Sequence, residues 1–152
     1  MQLTGTRFGT IDYTESDVIA LPTGLIGFGQ LHQFVVLEHR EGSPFRWLQS
    51  IDEPGLAFLV TNPWIYEETY RPEMADVDAE ALSLEGQTSY DVWTTVNVPG
   101  GDASQMTLNL AAPIVINLEN RLGKQVVLEG QAYNIRHRVF REVEGASSRL
   151  AA

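Results

Sequence analysis

The chain's three histidines, His32, His39 and His137, are the first residues to weigh, because imidazole serves both proton transfer and metal binding near neutral pH. Their spacing matches neither an HxH pair nor HExxH, and no cysteine is present to complete a zinc site. His32 and His39 stand seven apart across an expected strand, so they do not converge. They read as surface or hydrogen-bonded imidazoles. GLIGFG (24–29) resembles a phosphate-cradling loop only in its glycines. It lacks the Lys-Ser/Thr ending and the strand-to-helix setting of that motif. No GxSxG elbow marks a nucleophile. Carboxylates cluster at Glu67-Glu68 and in DVDAE (76–80), but neighbours on one loop or short helix form a solvated face. Acid–base pairs face each other across a cleft. No residue is therefore assigned to catalysis, to a cofactor or to a metal, and these residues suit binding better than catalysis.

What remains is aromatic. Trp47, Trp64, Tyr66, Tyr70 and Trp93 are rigid amphipathic side chains of the kind that concentrate binding energy at protein interfaces. Trp47 and Trp93 are expected in or beside the core, with Trp64, Tyr66 and Tyr70 along one rim. Ten basic residues against twenty acidic ones give a formal net charge of -10. That balance argues against nucleic-acid binding, which draws on phosphate contacts, and favours steering of a basic protein.

The elements that must position these residues are mostly strands. At 152 residues the chain suits one domain. In YDVWTTVNV (90–98), Tyr90, Val92, Thr94, Val96 and Val98 share one face. QMTLNL (105–110) alternates with Met106, Leu108 and Leu110 inward, and PGGD (99–102) joins the two runs as a hairpin. PIVINL (113–118) and QVVL (125–128) form a second hairpin, with Gly123 expected at positive φ. VIAL (18–21), QFVVL (33–37) and LAFLV (56–60) add further strands. Within FRWLQSIDEPGLAFLVTNPW (45–64), Leu48-Gln49-Ser50 reads as a turn before an acidic Pro-Gly loop. ADVDAEALSLEG (75–86) is the single helical signal, with Asp76 or Asp78 as N-cap and Gly86 just beyond. The fold expected from these runs is all-β and largely antiparallel, a small barrel or sandwich with one short helix. It occupies residues 1–143, with a mobile C-terminal tail over 144–152. No apolar run approaches a membrane span, and the N-terminus has no signal-peptide pattern, so a cytoplasmic protein is expected.

Several motifs in order carry a resemblance. They are Phe8-Gly9 within TGTRFG, then Pro22, Gly24, Leu25, Gly27 and Phe28, and PFRWLQS at 44–50. AFLV is followed by Asn62-Pro63 and later Tyr70. TLNLAAPIVIN spans 107–117, GKQVVL spans 123–128, and YNIRH spans 133–137. The chain resembles FliW, the bacterial flagellar assembly factor family, over nearly its whole length. The resemblance implies a non-enzymatic β-barrel-like protein with a short helix and no cofactor. It also implies two partners, flagellin and CsrA, the RNA-binding repressor of flagellin translation. Free factor sequesters CsrA, and flagellin that accumulates displaces it. A monomer with no direct contact to nucleic acid or membrane is expected.

Beside that resemblance, the acidic and aromatic residues Asp52, Glu53, Trp64, Tyr66, Glu67 and Glu68 are expected to form a patch for the basic partner. Arg136 and His137 are expected as a polar rim. The rival reading is a ligand-binding or enzymatic barrel. It calls for a deep pocket lined by Trp47, Trp93 and a buried carboxylate.

Overall fold

The short apolar runs in QFVVLE and AFLVT, and the mixed run FRWLQS between them, form three consecutive antiparallel strands, β4 (Gln33–Glu38), β5 (Phe45–Ser50) and β6 (Ala57–Thr61). The computed structural model describes residues 1–86 and 88–140. Before the three strands lie β1 (Gln2–Thr6), β2 (Gly9–Asp12) and β3 (Ile19–Ala20). After them come α1 (Asp76–Ala81), β7 (Tyr90–Asn97), β8 (Thr107–Leu108), β9 (Ile114–Asn117), β10 (Leu122–Gln125) and β11 (His137–Arg138). The expected boundary at residue 143 and the tail 144–152 lie outside the described residues.

The fold is mostly β with one short helix, but the expected antiparallel barrel is corrected. β1 and β2 form a separate two-stranded ribbon. The other nine strands form one mixed, branched sheet in the order β11-β8-β7-β6-β5-β4-β3-β10-β9. β3 and β10 run parallel and meet through one residue pair, Ala20 with Leu122. β7 branches. Its first half pairs with β9, Val60 and Thr61 of β6 pair with Thr95 and Thr94, and its last residues pair with β8. The parallel β3–β10 contact makes the sheet mixed rather than antiparallel throughout, and its single residue pair leaves no continuous ladder between those two strands.

Both faces of this sheet are covered. Ile19, Leu21, Leu31, Phe34, Leu48, Ile114 and Ile116 form one core cluster. Tyr70, Leu82, Leu108, Leu110, Val115, Val126 and Leu128 form another. Strand β9 divides its side chains between them: Ile114 and Ile116 point to the first, Val115 to the second, as the two-residue period of a strand requires. That is why IVIN reads as continuously apolar rather than alternating.

Several local expectations change. Leu48-Gln49-Ser50 is not a turn but the buried end of β5. In the β9–β10 hairpin the positive-φ residue is Arg121, at 61°, and Gly123 lies inside β10. A Cβ on Gly123 would stand 3.2 Å from Leu21 Cδ1 and 3.4 Å from Ile116 Cγ1, so close packing holds that glycine. The helix is capped at Ala75 without a side-chain bond, and neither Asp76 nor Asp78 is the N-cap. Asp78 is buried in the first turn, where its Oδ1 accepts a 2.6 Å bond from Lys124 Nζ. Thr107, expected outward, is also buried.

Candidate functional site

The 3-10 turn Pro63–Ile65 opens the site. Asn62 Oδ1 accepts from the Trp64 amide at 2.9 Å, and Pro63 sits at the turn's first position, where no N–H is needed. This fixes Trp64 so that its indole Nε1 donates to Tyr70 O at 2.9 Å. Tyr70 itself is buried, at 1% exposure, and is not a rim residue as the sequence had implied. Its hydroxyl donates to Leu110 O at 2.7 Å, and burial among apolar groups raises its phenol well above the ordinary range.

Beyond Tyr70 the chain runs without strand pairing through Arg71, Pro72, Glu73 and Met74. Between this run and the sheet lies an open groove of about 310 Å³. Val92, Val115, Val126 and Leu128 line its floor; Trp64 and Met74 are also in the lining; and Arg71, Glu73 and Tyr90 bring polar groups to it. Tyr90 is 48% exposed, which leaves its ring available at the mouth. An apolar floor with few polar groups suits an amphipathic segment whose apolar side chains enter together.

The predicted patch residues fall into two places. Trp64, Tyr66, Glu67 and Glu68 lie together on and after the 63–65 turn, with Tyr66 stacked on Phe45 at a centroid distance of 6.2 Å. Desolvation raises the Tyr66 phenol. His137 joins them: its Nε2 stands 3.1 Å from Glu67 Oε1, a contact between segments far apart in sequence. Arg136 is exposed beside His137, and Glu68 is exposed beside Glu67. Asp52 and Glu53 are at the other end of β6, whose five residues span roughly 16 Å at ~3.3 Å each.

Asp52 has a structural task there. Its Oδ2 accepts from the His32 and Gln33 amides at 2.6 and 2.9 Å. The rest of that loop is held by the buried residues Gln49 and Ser50. Gln49 Nε2 donates towards Ser50 O, Pro54 O and Leu56 O, at 2.8 to 3.1 Å, and Ser50 Oγ accepts from the Glu53 amide. Gln49→Leu keeps the volume and takes the side-chain donor from Ser50 O and Pro54 O, while Leu56 O keeps the Ser50 amide, so a loss of about 2 kcal/mol is expected. Urea unfolding of the variant checks this, and an unchanged midpoint would contradict it.

The pocket required by the rival reading does not assemble from its residues. Arg46 and Trp47 are consecutive on β5 and point to opposite faces. Trp47 packs under the Arg7 guanidinium at 4.5 Å and beside Phe8, while Trp93 packs on the Arg46 side and against the first core cluster. The buried carboxylate Asp78 is engaged by Lys124. Among the described residues no group of three or more His, Asp or Glu side chains lies close enough to hold a metal ion. Among them, too, no helix is long and apolar enough to cross a membrane.

Sequence reasoning missed Met74, Val126, Leu128, Gln131 and Tyr133 as contributors to the site. QVVL announced a strand, but Val126 and Leu128 follow β10, and the face they present depends on distant segments.

Comparison with known proteins bears on the family and the fold. The family described as FliW protein matches residues 2–139. A flagellar assembly factor FliW of Magnetococcus marinus is 42% identical over 127 residues, covering 84% of this chain and 78% of that protein. One from Natranaerobius thermophilus is 36% identical over 151 residues and covers 99% of both. A solved structure described as the crystal structure of the flagellar assembly factor FliW superposes with a TM-score of 0.87 at 34% identity. The match covers 93% of this chain and 99% of that one.

Proposed function

The chain belongs to the FliW family, and from that premise we propose that this flagellar assembly factor binds flagellin and antagonises the translational repressor CsrA in the cytoplasm. The observation that carries the reading is the groove beside Trp64 and Met74, an apolar trough with polar groups at its edge and no catalytic constellation near it. We assign it to an amphipathic segment of flagellin. The ridge of Tyr66, Glu67 and Glu68, with Arg136 and His137 behind it, is assigned to CsrA. A net charge of -10 speeds encounter with a basic partner. The ridge and the groove share the 63–70 segment, so occupancy of one site can lower affinity at the other. The protein acts as a monomer in this scheme, and Asp52 and Glu53 contribute long-range field rather than direct contact.

Calorimetric titration of the purified protein against the host's flagellin and CsrA tests both assignments. Met74→Glu and Tyr90→Glu place a charge in the groove at incompletely buried positions. They are expected to weaken flagellin binding at least tenfold and leave CsrA binding within twofold. Glu68→Lys, alone and with Glu67→Lys, is expected to reverse that selectivity at low salt. If neither set changes either affinity, the assignments are wrong.

A further inference from the structure

We infer that Gln131 is the positioning residue that fixes the wall of the groove, an inference that rests on the flagellin reading of that groove. The wall is the run from Tyr70 to Met74, which belongs to no strand. Four of its backbone groups are nevertheless paired by side chains. Tyr70 O accepts from Trp64 Nε1, and the Arg71 amide donates to the Tyr133 hydroxyl at 2.9 Å. Arg71 O accepts from Gln131 Nε2 at 2.9 Å, and the Glu73 amide donates to Gln131 Oε1 at 2.9 Å. Pro72, between them, has no N–H to satisfy.

A neighbouring strand would offer one residue's C=O and N–H to the same two groups. Gln131 supplies both from one planar amide, and so stands in for a missing strand. The tie crosses 58 residues of sequence to Glu73 and 60 to Arg71. Without it, Arg71 and Glu73 are exposed backbone that water solvates equally well, and nothing else among these bonds holds the stretch between Tyr133 and Met74. Met74 lines the groove one residue beyond the tie. A loosened wall would therefore admit the same ligand but hold it for less time, because the ordering would have to be met on binding.

The chemistry ranks three side chains. Glutamine makes both bonds. Glutamate accepts from the Glu73 amide and faces Arg71 O with no proton to donate at neutral pH. Alanine makes neither. Affinity for full-length host flagellin is expected to fall in that order, with Gln131→Ala weakening it at least fivefold through faster dissociation. CsrA affinity should stay within twofold, and the melting temperature within about 2 °C, the behaviour of a surface change. Amide exchange at Glu73, followed by NMR on the free protein, should accelerate at least tenfold in Gln131→Ala and less in Gln131→Glu.

Unchanged exchange at Glu73 overturns the inference. So does unchanged flagellin affinity in Gln131→Ala when Met74→Glu abolishes binding. The exchange measurement needs no ligand. If the wild-type protein binds no flagellin, the groove reading fails, and exchange alone decides whether Gln131 fixes the wall.

Discussion

Replacing Tyr70 with alanine is expected to cost the fold about 4 kcal/mol, within the ~3–5 kcal/mol seen when a large buried aromatic is truncated. Tyr70 is among the largest fully buried side chains. Its ring meets Tyr133 edge-on at 4.8 Å and Trp64 at 5.7 Å, so truncation opens a cavity beneath the groove and frees both neighbours. For a chain of this length that corresponds to a fall in melting temperature of roughly 10 °C. Tyr70→Phe isolates the hydroxyl. It leaves Leu110 O without its 2.7 Å donor in a buried place and should cost ~1–3 kcal/mol. The pH dependence has a definite sign. Burial, helped by the neighbouring Tyr133, raises the folded-state phenol above its unfolded value near 10. The stability it brings is complete below about pH 10 and declines as pH climbs towards the folded-state value. Tyr70→Phe should therefore lose less stability between pH 8 and 11 than the wild type does. Parallel alkaline losses in the two proteins would show that another group governs that limb.

The second large effect is expected at Asp78. Its carboxylate is 2.6 Å from Lys124 Nζ, with 13% and 28% of the two side chains exposed. Removing one partner of a fully buried pair costs ~3–5 kcal/mol, because the other charge is left unsatisfied. Lys124 retains some water, so about 2–3 kcal/mol is the expectation for Asp78→Ala. The pair also fastens α1 to β10. Asn117 Nδ2 adds a second tie from β9, donating to Leu82 O at 2.8 Å. Asp78→Ala should thus melt α1 locally as well as lower the global midpoint. The double variant Asp78→Leu/Lys124→Met, apolar at both positions, should recover most of the loss. If the double variant is no more stable than the single one, packing of the helix rather than charge satisfaction is what the pair provides.

Strand existence was legible wherever a run alternated or stayed apolar: β4, β6, β7 and β9 stand where QFVVL, LAFLV, YDVWTTVNV and PIVINL placed them. Failures occurred where a distant partner decides. Gln49 and Ser50 carry turn-like side chains, yet they continue β5 because their polar groups serve the next loop from inside. Gly123 looked like a turn residue, but Leu21, about a hundred positions away, occupies the space a side chain would need. The ribbon β1–β2 escaped notice because QLTGT and GTID are mostly polar or small and bury only Leu3 and Thr6. Asp76 and Asp78 had the chemistry of an N-cap, and Lys124 drew one of them into a different use. At the site, the aromatic residues near 64–66 were visible as a type. The groove was not, since its floor comes from three segments distant in sequence.

The single parallel contact between Ala20 and Leu122 has a consequence in time as well as in space. The two residues are 102 positions apart, and the intervening chain must be made before they can meet. At ~5–20 residues per second, the interval is about 5–20 s on the ribosome. During that interval β4, β5 and β6 can zip as a local meander, with β3 added at its edge, while the far side of β3 stays unpaired. Long-range pairing of this kind is also the slow step of refolding. The nascent protein is therefore a half-sheet with a sticky border until β10 emerges and seals it.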